Sequence, residues 1–317
     1  MENETTRKSL IIVIDYLSTM NRAYKESSKM ADVAEKEKRK NMKEKMSEED
    51  IENRYEDAMQ STMNVPVERR LLWQEQSIPH IGGLTPVQYI DSIESIQDLV
   101  ELVSFFMAED MVLLPVYLQE KIKKIESKHL PYLHEALSCI RPTEDPDVKA
   151  LNMAVLYIIQ TLGLPEFFPG LVKILEHITY SQDDRLYYRV SSQLMLIGEP
   201  VLDLLLQTYE NLKSEDMKQR VRIPIVEIMK ENKSDRYFKW LKEKFRKTEG
   251  VDKILLARDL VMYGDSRAVT AIKGYVERDK ENISNAWYRH YRGYIIALGG
   301  SVDDLDEYFD VDFDEED

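Results

Sequence analysis

The chain has 317 residues, 43% of them hydrophobic, so it can bury a sizeable core, and its formal net charge of −15 opposes close tracking of nucleic-acid phosphates. A single Cys excludes an internal disulfide, and 11 Gly and 11 Pro with no run of alternating β-branched residues point to an all-α chain. No apolar run approaches the roughly 18 residues of a membrane span, and Met1-Glu2-Asn3-Glu4 is acidic where a secretory signal would be basic. The expectation is a cytoplasmic protein with no membrane contact.

In residues 8 to 24, Leu10-Ile11-Ile12-Val13-Ile14 could read as a buried strand, but Tyr16, Leu17, Met20 and Tyr24 continue at helical spacing. One amphipathic helix with a wide apolar stripe accommodates all of them. From Ser27 to Asp57 lysines give way to acids with few large apolar residues between, which reads as solvated helix faces or a flexible connector; Glu35, Glu37 and Glu44 among the lysines oppose the alternative of a nucleic-acid arm.

Residues 66 to 98 read as a structured junction. After Trp73 and Gly82-Gly83, Thr85 is placed to cap a helix, Pro86 suits the first helical position, and Gln88 completes a capping box. Ser95 and Asp98 repeat the signal. Apolar helical periodicity then runs from Leu99 to Ile140, with Pro115 marking a kink or a fresh start and a turn near Ser127-Lys128-His129. Cys139, between Ser138 and Ile140, is expected to be a buried structural thiol.

The remainder repeats. Gly163, Gly198, Asn232, Gly264 and Gly299 are separated by 35, 34, 32 and 35 residues. Gly and Asn most readily take the left-handed conformation just past a helix C-terminus, so these five are expected to be structural anchors of successive units. Four residues before them stand Ile159, Leu194, Ile228, Leu260 and Ile295, and eight before stand Val155, Val190, Pro224, Leu256 and Tyr291. That spacing keeps both columns on one buried face of a first helix. Eight after the first four anchors come Leu171, Leu206, Trp240 and Ile272, the expected inward column of a second helix; Glu307 in the fifth unit predicts a truncated or absent one.

With its apolar helix, Gly, acidic or Pro turn and Leu-rich helix, most clearly in Gly198-Glu199-Pro200-Val201-Leu202 and Gly264-Asp265-Ser266-Arg267-Ala268-Val269, the chain resembles the HEAT-like repeats of bacterial proteins over about residues 100 to 300. The resemblance implies an all-α, right-handed α-α superhelix (a HEAT-like solenoid) with a helical N-terminal extension. The corresponding division is an extension over 1–65, the junction over 66–98, an array of about five to six helix pairs over 99–300, and an acidic tail over 301–317.

No chemistry emerges from the motifs. The five histidines, His80, His129, His134, His177 and His290, include no i, i+4 pair for a metal, Gly82-Gly83 is not followed by the Gly-Lys of a phosphate loop, and there is no nucleophile elbow. No catalytic residue, cofactor or metal is expected. Two function classes follow from the resemblance: a non-catalytic scaffold or regulator that binds a protein partner through a helical-repeat surface, and a HEAT-like nucleic-acid-binding protein or DNA-glycosylase-type enzyme. Charge disfavours the second, although residues 301 to 317 hold ten acids and no base, which leaves only −5 for the rest.

Tyr188, Arg222 and Arg289 stand ten residues before anchors and Arg258 six before Gly264, about opposite the buried columns. With Trp287 and Arg292 they make a candidate outward, partner-binding ridge. In the tail, Tyr308, Phe309 and Phe313 are interleaved with the acids, which suits a docking strip for a basic partner or a disordered solubilising end.

Overall fold

A computed structural model describes residues 4–43, 47–109, 114–178 and 184–309; within these the chain is all-helical, with no strand. It divides into two compact units, Met1–Gly170 and Leu171–Asp317.

The first unit opens with α1 (Glu4–Lys43) and α2 (Glu48–Glu75), far longer than the apolar stretch alone suggested. No Gly or Pro occurs before Pro66, and the charged stretch is rich in Lys, Glu, Met and Ala, all strong helix formers, so it supplies the distal halves of both helices rather than a connector. Ser47 caps α2 by accepting the Asp50 amide at 3.1 Å. The two helices run antiparallel. Going down α1 and up α2, Lys38 meets Glu52 at 2.9 Å, Ser27 donates to the Thr62 carbonyl at 3.0 Å, Glu26 meets Arg69 at 3.0 Å, and the Trp73 indole donates to Asp15 at 2.9 Å.

The junction holds the capping box that the sequence announces. The Thr85 hydroxyl accepts the Gln88 amide at 3.2 Å and the Gln88 side chain accepts the Thr85 amide at 2.9 Å, opening α3 (Pro86–Ser92). Ser95 likewise caps α4 (Ile96–Ala108) through the Asp98 amide. The hairpin is docked on these elements by aromatic packing: Tyr16 of α1 sits edge-on to Trp73 at 4.8 Å and to Phe106 of α4 at 5.6 Å. A hydrogen bond of 2.7 Å between Ser9 and Tyr89 of α3 closes the same seam.

Pro115 starts a new helix, α5 (Val116–Lys123), followed by α6 (Leu130–Cys139), α7 (Pro146–Leu162) and α8 (Phe168–His177), which carries the chain into the second unit. Cys139 is exposed, not buried as expected. Leu133, Leu137 and Ile140 occupy the buried face of α6, and Cys139, two positions after Leu137, is turned about 200° away.

The second unit continues as consecutive helix pairs: α9 (Asp184–Ile197) with α10 (Glu199–Asn211), α11 (Glu215–Glu231) with α12 (Asp235–Lys247), α13 (Val251–Tyr263) with α14 (Ala268–Asp279), and α15 (Asn285–Ala297) with the seven-residue α16 (Asp303–Phe309). The first helices form a row in which α11 packs on α9, α13 on α11 and α15 on α13. Both expected columns are buried throughout, from Val155 and Ile159 to Tyr291 and Ile295.

Gly163, Gly198, Gly264 and Gly299 all have positive φ. Gly264 (φ 70°, ψ 39°) ends α13 in the left-handed region, its amide bonded to Leu260. Gly198 (φ 73°, ψ −139°) is further out still, in a region essentially reserved for Gly. Asn232 differs: its φ of −120° is ordinary backbone, and its side-chain amide instead donates to the Ile228 carbonyl at 2.9 Å. Gly264→Val is expected to cost roughly 1–2 kcal/mol in urea denaturation, because a β-branched residue is strained at this φ and the new Cβ would lie 3.3 Å from the Lys233 Nζ. Gly274→Ala, in a helix with open space at its Cβ, is the control and should be neutral or mildly stabilising.

Candidate functional site

The departure at Asn232 displaces two further expectations. Trp240 is not in the inward column. It is half-exposed, edge-on to Tyr209 at 5.1 Å with its indole donating to Glu210 at 3.0 Å, while Tyr237, Phe238, Leu241 and Phe245 fill the buried face of α12. Arg222 does not point outward either. It is 4% exposed, its Nε lies 2.7 Å from Oδ2 of the equally buried Asp259 on α13, and the residue that emerges on α11 is Ile223. No N–H is well aimed at that oxygen, so the contact is ionic rather than directional. A frame shifted by one residue explains both corrections, since Ile225, Met229 and Leu241 are then the column residues and each is fully buried.

The other ridge residues separate into two groups. Tyr188 on α9 is 57% exposed, Arg289 on α15 is exposed, and the Arg258 side chain on α13 is half-exposed, with its guanidinium 3.9 Å from Asp259. Trp287 and Arg292 are half-buried. Trp287 lies in the first turn of α15, where its amide donates to the Ser284 cap, and Arg292 is engaged by Asp306 of α16 at 2.9 and 3.1 Å.

What the charged residues alone did not reveal is an apolar component of the same surface. From α9 to α15 the exposed large apolar side chains are Tyr188, Leu196, Ile223, Val251, Met262 and Ile296, and all belong to first helices. The second helices α10, α12 and α14 contribute none among the described residues. Tyr188 and Leu196, Val251 and Met262, and Arg289 and Ile296 are 8, 11 and 7 residues apart, close to whole numbers of turns, so each pair shares one face of its helix. The buried sides of these helices meet second helices (α11 on α10, α13 on α12, α15 on α14) and their neighbours in the row, which leaves this face to solvent.

The second-helix side differs. α12 carries Arg236, Lys239, Lys242, Lys244, Arg246 and Lys247, but α10 opposes it with carboxylates: Arg236 meets Asp203 at 2.6 Å and Lys244 meets Glu210 at 2.5 Å. A groove of about 710 Å³ between them is lined by Asp203, Glu210, Arg236, Lys239, Trp240 and Glu243 in near-balanced charge. Lys253, at the start of α13, is buried with its ammonium 4.1 Å from the Tyr275 ring centre and 5.4 Å from that of Phe245; burial pulls its pKa below the usual lysine value.

The tail expectation is also corrected. Phe309 is buried and stacked on Tyr288 at 4.0 Å, whereas Tyr308 is exposed; Phe313 lies outside the described residues. Among the described residues no group of three or more His, Cys, Asp or Glu is placed to hold a metal ion. His134 stacks on Phe167 at 4.3 Å, 3.8 Å from Glu166. Among the described residues no helix is long and apolar enough to cross a membrane. No protein-family model matches the chain, and no curated protein or solved structure is similar to it.

Proposed function

We propose that this chain is a non-catalytic scaffold or regulatory protein of HEAT-like type, cytoplasmic, whose helix pairs wind as a right-handed superhelix and bind a protein partner through the outward face of the first helices. The observation that carries this reading is the confinement of the exposed apolar side chains of α9 to α15 to that face, with Arg258 and Arg289 among them. Apolar anchors beside arginine are the composition that protein interfaces favour. The nucleic-acid reading draws less support, because Arg236 and Lys244 of the basic helix α12 are held by carboxylates of α10, and the bases at the distal end of α1 are interleaved with Glu35 and Glu37, with Lys38 paired to Glu52 and Arg39 to Glu35.

A photo-crosslinking amino acid placed at Ile223 in the native cell is expected to trap a defined protein, and the same probe at Lys239 on α12 is not. Adding Arg258→Glu and Arg289→Glu to the Ile223 probe should remove the adduct while circular dichroism stays unchanged. Equal trapping from both positions, or an adduct indifferent to the charge reversals, would overturn the reading.

A further inference from the structure

Helix α1 carries two apolar stripes, and its packing in the chain uses only one. Val13, Tyr16, Met20 and Ala23 are buried against the neighbouring helices. The second stripe, Leu10, Ile14, Leu17, Asn21 and Tyr24, recurs at alternating spacings of four and three residues. Ile14 is 57% exposed, Tyr24 56% and Leu10 39%; Leu17 is half-buried and Asn21 exposed. Among the described residues no element buries Leu10, Ile14, Asn21 or Tyr24, and Leu17 is only partly covered.

That spacing is a heptad seam. Leu10, Leu17 and Tyr24 take the d positions, and Ile14 and Asn21 the a positions. A β-branched residue at a with Leu at d favours two parallel strands, and a single Asn at a fixes both the two-stranded state and the register, because two such amides can bond each other across the seam. Extending one step toward the N-terminus places Arg7 at a, and toward the C-terminus Ser28 and Ala31, where the seam fades into small residues. Residues 7 to 31 span about 35 Å at 1.5 Å per residue, a contact length that would bury on the order of 800 Å² per copy, the size of a standard stable interface.

Charge selects the occupant and its direction. Glu101 of α4 flanks the seam and is bonded through both oxygens to the Thr6 hydroxyl, at 3.0 and 3.1 Å, with no basic side chain in ion-pair contact among the described residues. Arg7, next to Thr6 in sequence, is exposed, and among the described residues no carboxylate is in ion-pair contact with it. In a parallel pair of α1 helices a two-fold axis sets each Arg7 beside the other copy's Thr6, and so within reach of the other copy's Glu101. An antiparallel pair sends Arg7 to the far end, near Ser28, and leaves Glu101 unmatched.

We propose that α1 forms a parallel, two-stranded coiled-coil seam with α1 of a second copy of this chain, with Leu10, Ile14, Leu17, Asn21 and Tyr24 at its centre and Arg7–Glu101 pairs between copies at its end. The full-length chain at tens of micromolar is expected to sediment as a dimer. Ile14→Asp, at a position exposed in the single chain, should weaken the dimer by about 100-fold or more with helix content unchanged. Two single-cysteine variants in a Cys139→Ser background, Leu10→Cys and Tyr24→Cys, settle direction: a parallel seam oxidises each to a covalent dimer, and an antiparallel seam can do so for at most one. The charge swap Arg7→Glu with Glu101→Arg should preserve a dimer that Glu101→Arg alone weakens. A monomeric wild-type chain, a dimer indifferent to Ile14→Asp, or crosslinking of only one cysteine variant or neither would each overturn the proposal, and a seam reserved for a different protein would show itself as the first of these.

Discussion

Replacing Arg222 with Ala is expected to destabilise the second unit by about 3–5 kcal/mol, enough to unfold it under mild conditions, whereas Arg258→Ala and Arg289→Ala should each stay within about 0.5 kcal/mol. The three arginines look interchangeable in sequence, but only Arg222 is itself buried against the buried Asp259, at 2.7 Å, and its removal leaves that carboxylate with only the half-exposed Arg258, 3.9 Å away. Burial already pushes the Asp259 carboxyl above the usual carboxylate range, with Arg222 and then Arg258 pulling it back down. The sign of the pH effect follows. A carboxyl whose folded pKa is raised binds its proton more readily when folded, so its contribution to stability is full below the unfolded pKa and is lost as pH rises through the folded one. Arg222→Ala should therefore recover part of its loss on acidification toward the ordinary carboxylate range. Combining Arg222→Met with Asp259→Leu should restore most of the loss at neutral pH, since a packed apolar pair can replace a buried ion pair. Urea denaturation of the three variants at two pH values checks all of this; equal, small losses for Arg222, Arg258 and Arg289 would show that the ion pair is not buried in solution.

Phe309→Ala should cost about 3 kcal/mol, and ending the chain at Ser301 at least as much. The acidic C-terminal segment suggests a solvated end, but its apolar members are consumed by packing: Val302, Leu305 and Phe309 are buried, and the Phe309 ring lies parallel to Tyr288. Its acids are engaged as well. Asp304 meets Lys273 at 2.7 Å, and Asp306 accepts from both Arg292 and the Tyr288 hydroxyl. Thus α16, the short second helix of the last pair, is held against α15 through Tyr288 and Arg292 and against α14 through Lys273. Thermal melting of the truncated chain gives the measurement, and an unchanged midpoint would mean that α16 is not docked.

Much of the helical framework was legible because it rests on local chemistry. The Thr85 capping box, the Ser95 cap and the spacing of the buried columns each depend on residues within two turns of one another. Errors arose where residue type alone does not decide between two backbone or packing solutions. Arg222 and Trp240 were misplaced by one residue because Asn232 looks like a left-handed terminator yet ends its helix through its side chain, a choice that only the backbone reveals. Cys139 has apolar neighbours in sequence, but the burial of Leu137 and Ile140 fixes the rotation of α6 and turns the thiol out. Composition foretold charged faces for residues 27 to 57 without foretelling their length as helix, since the pairing of Lys38 with Glu52 and of Ser27 with Thr62 joins segments remote in sequence.

The salt bridge between α11 and α13 also bears on how the row of first helices bends. Apolar joints between neighbouring helices lose hydrophobic stabilisation as they part, with nothing returned. At the Arg222–Asp259 joint, water entering the gap rehydrates two ions and gives back part of what separation costs. That joint therefore resists opening least for the area parted. Flexure of the second unit should therefore concentrate between α11 and α13, beneath Ile223 and Arg258, so that the face proposed for a partner can change curvature at its middle while the helices on either side move as stiff blocks.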